Sequence, residues 1–202
     1  EIKTPEILWT DDFPLTKQAA LDSINQLNHQ LMSIRFQQVA LQYQQEIAAN
    51  MGKPNFTIGL DYTIVGKGEN NMSGTDAFVF PMVGLSIPLY RNKYKAMVQQ
   101  AVLLSSAKEY EEVDKINMLE SLFEKGWRDY EDAKRRISLY HSQLDLAKKS
   151  VSLLETEYAT GNKNFEEILR MERKVLSFNL ELEKARADKQ ASVSFIYYLM
   201  GK

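Results

Sequence analysis

The chain has 202 residues, of which 44% are hydrophobic and 26% are charged, a balance that fits a folded protein and excludes general disorder. Its net charge is −2 at pH 7, and acidic and basic residues alternate along the chain, so we expect no nucleic-acid partner. The sequence contains no cysteine, which excludes disulfides, thiolate metal sites and cysteine nucleophiles.

The sequence has no candidate for a membrane-spanning helix, because no apolar run reaches the roughly 18 residues that such a helix requires. The first residues, EIKTPEILWTDDF, also lack the basic and apolar regions of a signal peptide. We therefore expect this sequence to begin at a cut within a longer protein.

The first predicted helix spans residues 12–50. Asp12 and Pro14 form a start signal, and from Lys17 to about Ala49 apolar or small residues recur mostly three or four positions apart. The residues of this stripe are Ala20, Ile24, Leu27, Leu31, Ile34 and Leu41. We expect one amphipathic helix of roughly 35 residues, or about 50 Å.

A β-hairpin is predicted over residues 55–90, because hydrophobic residues alternate there with polar or small ones. In the first strand the alternating hydrophobic residues are Phe56, Ile58, Leu60, Tyr62 and Ile64. In the second strand the residues that share a face are Val79, Pro81, Val83, Leu85, Ile87 and Leu89. A loop rich in Gly, Asn and Ser joins the two strands.

Two strands alone do not bury such an apolar face, so the hairpin requires either other copies or a lipid bilayer. Strands of about ten alternating residues have the length of transmembrane β-strands, and the polar residues Asp61, Thr63 and Ser86 suit a water-filled lumen. The alternative is a soluble hairpin packed on helices. Pro81 and Pro88 favour that alternative, because a central strand loses one ladder hydrogen bond at each proline.

A long helix is predicted over residues 92–159, with Asn92 as its N-cap. Hydrophobic and small residues recur every three or four positions over more than roughly six heptads without a proline, which is typical of a coiled coil. This stripe comprises Val113, Ile116, Leu119, Phe123, Trp127, Tyr130, Ala133, Ile137, Tyr140, Leu144, Ala147, Val151, Leu154 and Tyr158. A helix of roughly 67 residues is about 100 Å long, which indicates an elongated protein.

A tight turn is predicted at residues 160–164, followed by a last helix at 165–200. Gly161 can end the long helix with a positive φ, and Asn164 with Glu167 three residues later forms a capping box. The stripe of the last helix comprises Ile168, Leu169, Val175, Leu182, Ala185, Val193, Ile196 and Leu199. The first and last helices each have about half the length of the long one, so we expect them to stack end to end along it.

The sequence predicts no catalytic residue, no metal site and no cofactor. The acidic stretches EYEEVD and ELEKARADK lie on helices, where charges usually form the solvated face. His141 lies beside the stripe at Tyr140 and is expected to pack rather than to bind a metal.

The order of these elements resembles one repeat of the TolC family, the outer-membrane channel subunits of tripartite efflux pumps. The resemblance rests on KPNFTIGLDYTIVG, on VGLSIPLYRNKYKAMVQQA and on the segment from YATGNKNFEEIL to the terminal LMGK, and it covers nearly the whole chain from Asp12 onward. Subunits of this family contain two such repeats, and SIPLYRNKYKA with LMGK is similar to the second. The strands most resemble those of metal-efflux members of the CusC and CzcC type.

The resemblance implies a fold and a location. It implies a mainly α chain with two transmembrane β-strands, which is one repeat, over residues 1–202, of a homotrimeric α/β-barrel channel. Three subunits would close a transmembrane β-barrel of twelve strands in the bacterial outer membrane, and their helices would extend into the periplasm as a tunnel. The implied partners are a periplasmic adaptor and an inner-membrane pump.

The resemblance also implies a role for the turn at 160–164. By position, Tyr158, Gly161, Lys163 and Glu167 match family residues that hold the periplasmic mouth of the tunnel shut and dock the adaptor. Arg170 stands where the best-known member of the family has an aspartate, which argues against an acidic selectivity ring at that position. Whether these residues gate the channel or only stabilise the helical turn is open at the level of sequence.

Two classes of function compete. The first is a passive outer-membrane conduit that exports small molecules or metal ions and carries out no chemistry. The second is a periplasmic adaptor or a coiled-coil scaffold of an export complex. An adaptor hairpin has arms of similar length, whereas one arm here is about twice the other, and a scaffold does not explain the alternating strands. We therefore favour the conduit.

Overall fold

The computed structural model describes residues 12–63, 78–161 and 164–202. Within these residues the order of elements is α1 (Lys17–Leu27), α2 (His29–Met51), β1 (Asn55–Thr63), β2 (Phe78–Ser86), α3 (Arg91–Ala159) and α4 (Phe165–Leu199). Helix α3 has 69 residues and α4 has 35, and β1 pairs with β2 in an antiparallel sheet. Asn92, predicted as the N-cap of the long helix, instead lies in its first turn, because α3 begins at Arg91. The predicted fold class, a mainly α chain with one very long helix and a β-hairpin, is confirmed.

The prediction of a single helix over residues 12–50 is wrong in two respects. The helix begins at Lys17, because Thr16 is the N-cap and its hydroxyl oxygen accepts a hydrogen bond from the backbone N–H of Ala19 at 3.3 Å. The helix is also broken at Asn28, whose extended backbone (φ −61°, ψ 123°) separates α1 from α2. Leu27, predicted as part of the buried stripe, lies next to this break and is 47% exposed.

The chain divides into two compact units. The first, here called the helical unit, comprises Glu1–Ser33 and Glu112–Lys202, and it includes α1, α4 and most of the predicted stripe of α3. The second, here called the hairpin unit, is Ile34–Glu111 and includes both strands.

The core of the helical unit is formed by the stripes that the sequence predicts. In α3 the buried members of the stripe are Leu119, Phe123, Tyr130, Ala133, Leu144, Ala147 and Val151. In α4 they are Ile168, Leu182, Ala185, Val193, Ile196 and Leu199. Burying one large apolar side chain stabilises a fold by roughly 1.5–3 kcal/mol, so these stripes hold the helices together. Val113 and Tyr158, at the two ends of the α3 stripe, are exposed.

An aromatic cluster fixes the segment before α1 to the long helices. The ring of Phe13 lies 5.2 Å from that of Tyr197 and 6.0 Å from that of Trp127, both in edge-to-face geometry. The backbone N–H of Phe13 donates a hydrogen bond to the hydroxyl of Tyr130 at 3.1 Å. Because edge-to-face pairs add to the free energy gained by burial, this cluster anchors a segment that has no regular structure.

Helices α3 and α4 approach closely at Gly126. A Cβ atom placed on Gly126 would lie 2.9 Å from Cδ1 of Phe195, which is shorter than normal van der Waals contact. The missing side chain therefore provides the space that the Phe195 ring occupies.

Asn28 satisfies three backbone groups at the break between α1 and α2. Its side-chain Nδ2 donates to the carbonyl oxygen of Leu199 at 2.8 Å, and its Oδ1 accepts from the N–H groups of Gln30 (3.0 Å) and Leu31 (3.3 Å). The residue is buried. It thus caps the N-terminus of α2 and binds a carbonyl at the C-terminal end of α4, where carbonyls lack helical partners.

Two lysines share the carboxylate of Asp12. Nζ of Lys189 lies 2.8 Å from Oδ1, and Nζ of Lys134 lies 3.1 Å from Oδ2. The Lys189 side chain is only 7% exposed, whereas Asp12 is 58% exposed. These two hydrogen bonds, with Lys189 as the stronger influence, hold the pKa of Asp12 below its ordinary value.

In the hairpin unit, the end of α2 lies close to the beginning of α3. A Cβ atom on Gly52 would be 3.3 Å from Cβ of Tyr94, so the two segments are in contact there. Further along, Nε2 of Gln38 donates to the carbonyl oxygen of Lys108 at 3.2 Å. Strand β1 begins at Asn55, shortly after α2, and β2 ends at Ser86, shortly before α3.

Candidate functional site

The register of the hairpin places four hydrophobic residues of β1 opposite four hydrophobic residues of β2 on one face. Residues directly opposite each other in an antiparallel pair point to the same face. The pairs on this face, here called the apolar face, are Phe56↔Leu85, Ile58↔Val83, Leu60↔Pro81 and Tyr62↔Val79. The predicted alternation is therefore confirmed from Phe56 to Tyr62 and from Val79 to Leu85, where the two strands contribute to one continuous surface. Ile64 lies outside the described residues, and the prediction is wrong for Ile87 and Leu89, which follow the end of β2 at Ser86.

The apolar face is uncovered in the single chain. Ile58 is 85% exposed, Val83 is 79% exposed and Leu60 is 76% exposed. Monomeric soluble proteins rarely expose a contiguous apolar patch that includes every hydrophobic residue of a sheet face. The alternative of a soluble hairpin whose apolar face packs on the helices does not agree with this exposure.

The three residues predicted to line a lumen share the opposite face of the hairpin. Asp61 and Thr63 alternate with the apolar residues of β1, and Ser86 is paired with Asn55, which lies on the same face as Asp61. Phe80 is opposite Asp61 on this face, so the face is mixed rather than uniformly polar. That this face lines a lumen stays a prediction.

The turn between α3 and α4 has part of the geometry that the sequence predicts. Gly161 has a φ of +79°, which confirms the predicted left-handed end of α3. Its N–H donates to the carbonyl oxygen of Tyr158 at 2.9 Å. The ring of Tyr158 lies 5.8 Å from that of Phe165, so an aromatic pair joins the two helices next to the turn. Lys163 lies outside the described residues.

The predicted capping box at Asn164 is wrong. Asn164 does occupy the N-cap position of α4, but its side chain makes no capping hydrogen bond. The backbone carbonyl oxygen of Asn164 instead accepts from the N–H of Glu167 at 3.1 Å. Glu166 and Glu167 both lie in the first turn of α4, where negative charge interacts favourably with the helix dipole.

Arg170 forms an ion pair within its own helix. Its Nη2 lies 3.2 Å from Oε1 of Glu166, one turn earlier, and both side chains are more than 70% exposed. An exposed pair at this spacing contributes about 0.3–0.5 kcal/mol. The charge of Arg170 is thus partly balanced locally.

The expectation that His141, beside the α3 stripe, is a packing residue is wrong. The residue is exposed, and its Nε2 lies 3.4 Å from Nη2 of Arg186 on α4. In the part of the chain that the structure describes, no three histidine or carboxylate side chains are grouped as a metal ion would need. Among the same residues, no helix combines the length and the apolar character needed to cross a bilayer.

The sequence matches no protein-family model and no curated protein sequence. Solved structures do match. CusC, in a structure described in terms of transmembrane channel formation, superposes with a TM-score of 0.82 at 13% identity. A membrane protein from Pseudomonas aeruginosa superposes with a TM-score of 0.76 at 18% identity. In both cases the match covers 100% of this chain and 50% of the other.

The CmeC outer-membrane channel of Campylobacter jejuni also matches, with a TM-score of 0.75 at 15% identity, over 91% of this chain and 40% of CmeC. The chain thus spans about half the length of the structures it resembles. It has the fold of one repeat of a TolC-like outer-membrane channel subunit. The resemblance identified in the sequence is thereby confirmed at the level of the fold.

The local sequence pattern does not predict the structural roles of three residues. Asn28, Asp12 and Gly126 each depend on a partner in a distant part of the chain. For Asn28 the only local signal is a residue type that favours caps over helix interiors, in the middle of an otherwise periodic segment. For Asp12 and Gly126 we find no local signal that distinguishes them from other acidic residues and glycines.

Proposed function

We propose that this chain is one repeat of a bacterial outer-membrane channel subunit, and that the channel is a passive conduit of an efflux system. In this proposal three subunits form the channel, the hairpins close a β-barrel in the outer membrane, and the long helices form a tunnel in the periplasm. The tunnel would receive small molecules or metal ions from an inner-membrane pump and a periplasmic adaptor.

The apolar face of the hairpin is the observation that carries the proposal. Its strands have nine residues each, which is the length of a tilted transmembrane β-strand. Eight hydrophobic residues in four opposite pairs share one exposed face, and Asp61, Thr63 and Ser86 share the other with Phe80 and Met82. A closed barrel would bury the first face in lipid, hydrate the second, and pair the two free edges that a lone hairpin exposes.

The turn between α3 and α4 is the proposed periplasmic tip. It lies at the end of α3 farthest along the chain from the hairpin, and its charged residues suit an adaptor interface. Tyr158, Gly161, Lys163, Glu167 and Arg170 are the proposed docking and gating residues, with Asn164 at the start of α4. Single exposed ion pairs contribute only about 0–1 kcal/mol, so gating would depend on several weak links repeated around the trimer.

The test uses the full-length protein that contains this chain. We expect it to sediment as a trimer in detergent and to produce discrete conductance steps in a planar lipid bilayer. A monomer that shows no conductance under conditions where a known porin conducts would overturn the proposal. Export assays with copper, zinc and an organic cation in cells that carry the matching pump would then assign the substrate. Export of copper or zinc would support the metal-efflux subgroup that the strands suggest.

A further inference from the structure

A groove lies at the base of the hairpin, where α2 ends and α3 begins. It has a volume of about 470 Å³ and is lined by small and apolar residues, including Ala48, Ala49, Gly52 and Val98, and by the ring of Tyr94. Arg91 and Lys95 also line it. We call it the base groove. Its volume lies within the roughly 300–1,000 Å³ that is typical of small-molecule sites.

The basic residues around the base groove come from two stretches of the sequence that contain no acidic residue. The sequence has no Asp or Glu from Ile47 to Leu60 or from Phe78 to Lys108. Lys53, Arg91, Lys93 and Lys95 all lie in these stretches, close to the first residue of β1 or to the first turn of α3. In the described parts of the chain, Arg91, Lys93 and Lys95 form no ion pair.

We propose that the base groove binds an anionic phospholipid, whose phosphate interacts with Arg91 and Lys95 and whose acyl chain begins along Ala49, Val98 and Tyr94. This inference rests on the proposed function, which places the base of the hairpin at the periplasmic surface of the outer membrane. Basic residues close to a membrane surface attract anionic lipid. The amphipathic rings of Tyr90, which is 80% exposed, and Tyr94 also suit a membrane–water interface.

Charge complementarity favours a lipid over a second copy of this chain as the occupant. Two copies of this chain that met at the base groove would each present Lys53, Arg91 and Lys95 there. These charges would repel one another, and no acidic residue of the two stretches could balance them. A phospholipid with a negative headgroup supplies both the missing charge and an apolar chain for the groove.

Native mass spectrometry of the full-length channel tests this inference. The protein, released from detergent, is mixed with phosphatidylglycerol or with phosphatidylcholine at equal concentration. We expect phosphatidylglycerol to be retained in preference. The double variant Arg91→Gln/Lys95→Gln should lower its retention at least fivefold. The matched control, Lys148→Gln/Lys149→Gln on the exposed part of α3, changes the net charge equally and should leave retention unchanged.

A second variant tests the apolar part of the site without a change of charge. Ala49→Trp places a large side chain in the base groove and should lower the retention of phosphatidylglycerol as well. Equal retention in both double variants, or equal retention of the two lipids by the unmodified protein, overturns the lipid site. A third outcome is that the unmodified protein retains no lipid and that Arg91→Gln/Lys95→Gln no longer forms trimers. This outcome overturns the lipid site and shows that another protein surface covers the groove.

Conductance measured on the same preparation separates this inference from the proposed function. A trimer that conducts but retains no phosphatidylglycerol contradicts the lipid site alone. A protein that retains phosphatidylglycerol but neither forms trimers nor conducts contradicts the proposed channel.

Discussion

The side-chain amide of Asn28 donates a hydrogen bond to the carbonyl oxygen of Leu199, 171 residues further along the chain, over a distance of 2.8 Å. The same side chain accepts two hydrogen bonds from the first N–H groups of α2. One buried residue therefore terminates α1, caps α2 and fixes the last turn of α4.

Replacement of Asn28 by Ala should destabilise the helical unit by about 2–3 kcal/mol. The change removes an N-cap, which costs about 1 kcal/mol, and leaves the buried carbonyl of Leu199 without its donor, which costs about 1–3 kcal/mol. Thermal denaturation of the purified protein measures the effect. Gln26→Ala, at an exposed position of α1, is the control and should change stability by less than about 0.5 kcal/mol. Equal melting temperatures for the two variants would show that the Asn28 bonds contribute no net stability.

The ion pairs of Asp12 should make stability depend on pH in the acid range. The lysine partners lower the pKa of Asp12 in the folded protein below its ordinary value of 3.8. Their contribution is therefore present above that value and is lost as the pH falls through the lower folded pKa. We expect Asp12→Asn to be less stable than the unmodified protein at pH 7, and this difference to disappear as the pH falls below the lowered pKa of Asp12 in the folded protein.

Thermal denaturation from pH 2 to pH 8 measures this difference. Asp22→Asn, at an exposed position of α1 whose carboxylate accepts a hydrogen bond from Gln18, provides the control. A stability difference between Asp12→Asn and the unmodified protein that is the same at pH 2 and pH 7 would mean that the ion pairs are not its source.

Replacement of Gly126 by Ala should lower stability even though alanine is the better helix former. Helix propensity favours Ala by about 1 kcal/mol, but the new Cβ would be 2.9 Å from the Phe195 ring. Overpacking at such a contact typically costs about 1–3 kcal/mol, so we expect a net loss of about 1 kcal/mol. In the Phe195→Leu background the same change should be neutral or stabilising, because the ring edge is gone. Calorimetry of the unmodified protein, the two single variants and the double variant measures the coupling between the two positions.

The two faces of the hairpin should respond oppositely to a charge. Ile58→Lys introduces an ammonium on the apolar face, which costs roughly 2–4 kcal/mol near the middle of a bilayer. Thr57→Lys, the neighbouring position on the opposite face, should be tolerated. The yield of folded protein in outer-membrane fractions of cells that express the full-length variants measures both. Similar yields for the two variants would contradict the assignment of the faces.

Charge reversal at the proposed tip should loosen the closed channel. We expect Lys163→Glu and Glu167→Lys each to raise the conductance of the closed state in a planar bilayer, because each would weaken links that the trimer repeats. Glu155→Lys, on the exposed surface of α3 before the turn, is a control for the change in charge. If neither tip variant alters conductance, these residues stabilise the turn and do not gate the channel.

The features that the sequence predicts are those that depend on neighbouring residues. The α3 stripe from Leu119 to Val151 is buried as its spacing indicates, because each member is positioned by the helix itself. The same holds for the alternation in β1 and for the positive φ of Gly161, which only a glycine adopts without strain.

The features that the sequence does not predict depend on distant partners. The break at Asn28 requires the carbonyl of Leu199, and the segment before α1 is held by Lys189, 177 residues from Asp12. At Asn164 the residue type suits an N-cap, but the pattern does not specify the rotamer that would make the bond. A periodic stripe thus locates a helix face, whereas its partners are set by the tertiary fold.

The register of the hairpin also determines which misfolded forms a membrane would accept. If β2 slipped by one residue so that Gly84 lay opposite Ile58, Val83 and Leu85 would move to the face of Thr57 and Asp61, and Met82 and Phe80 would lie opposite Leu60 and Tyr62. A glycine would then interrupt the middle of the apolar face. In the proposed channel, strand pairing therefore also determines which side chains contact lipid.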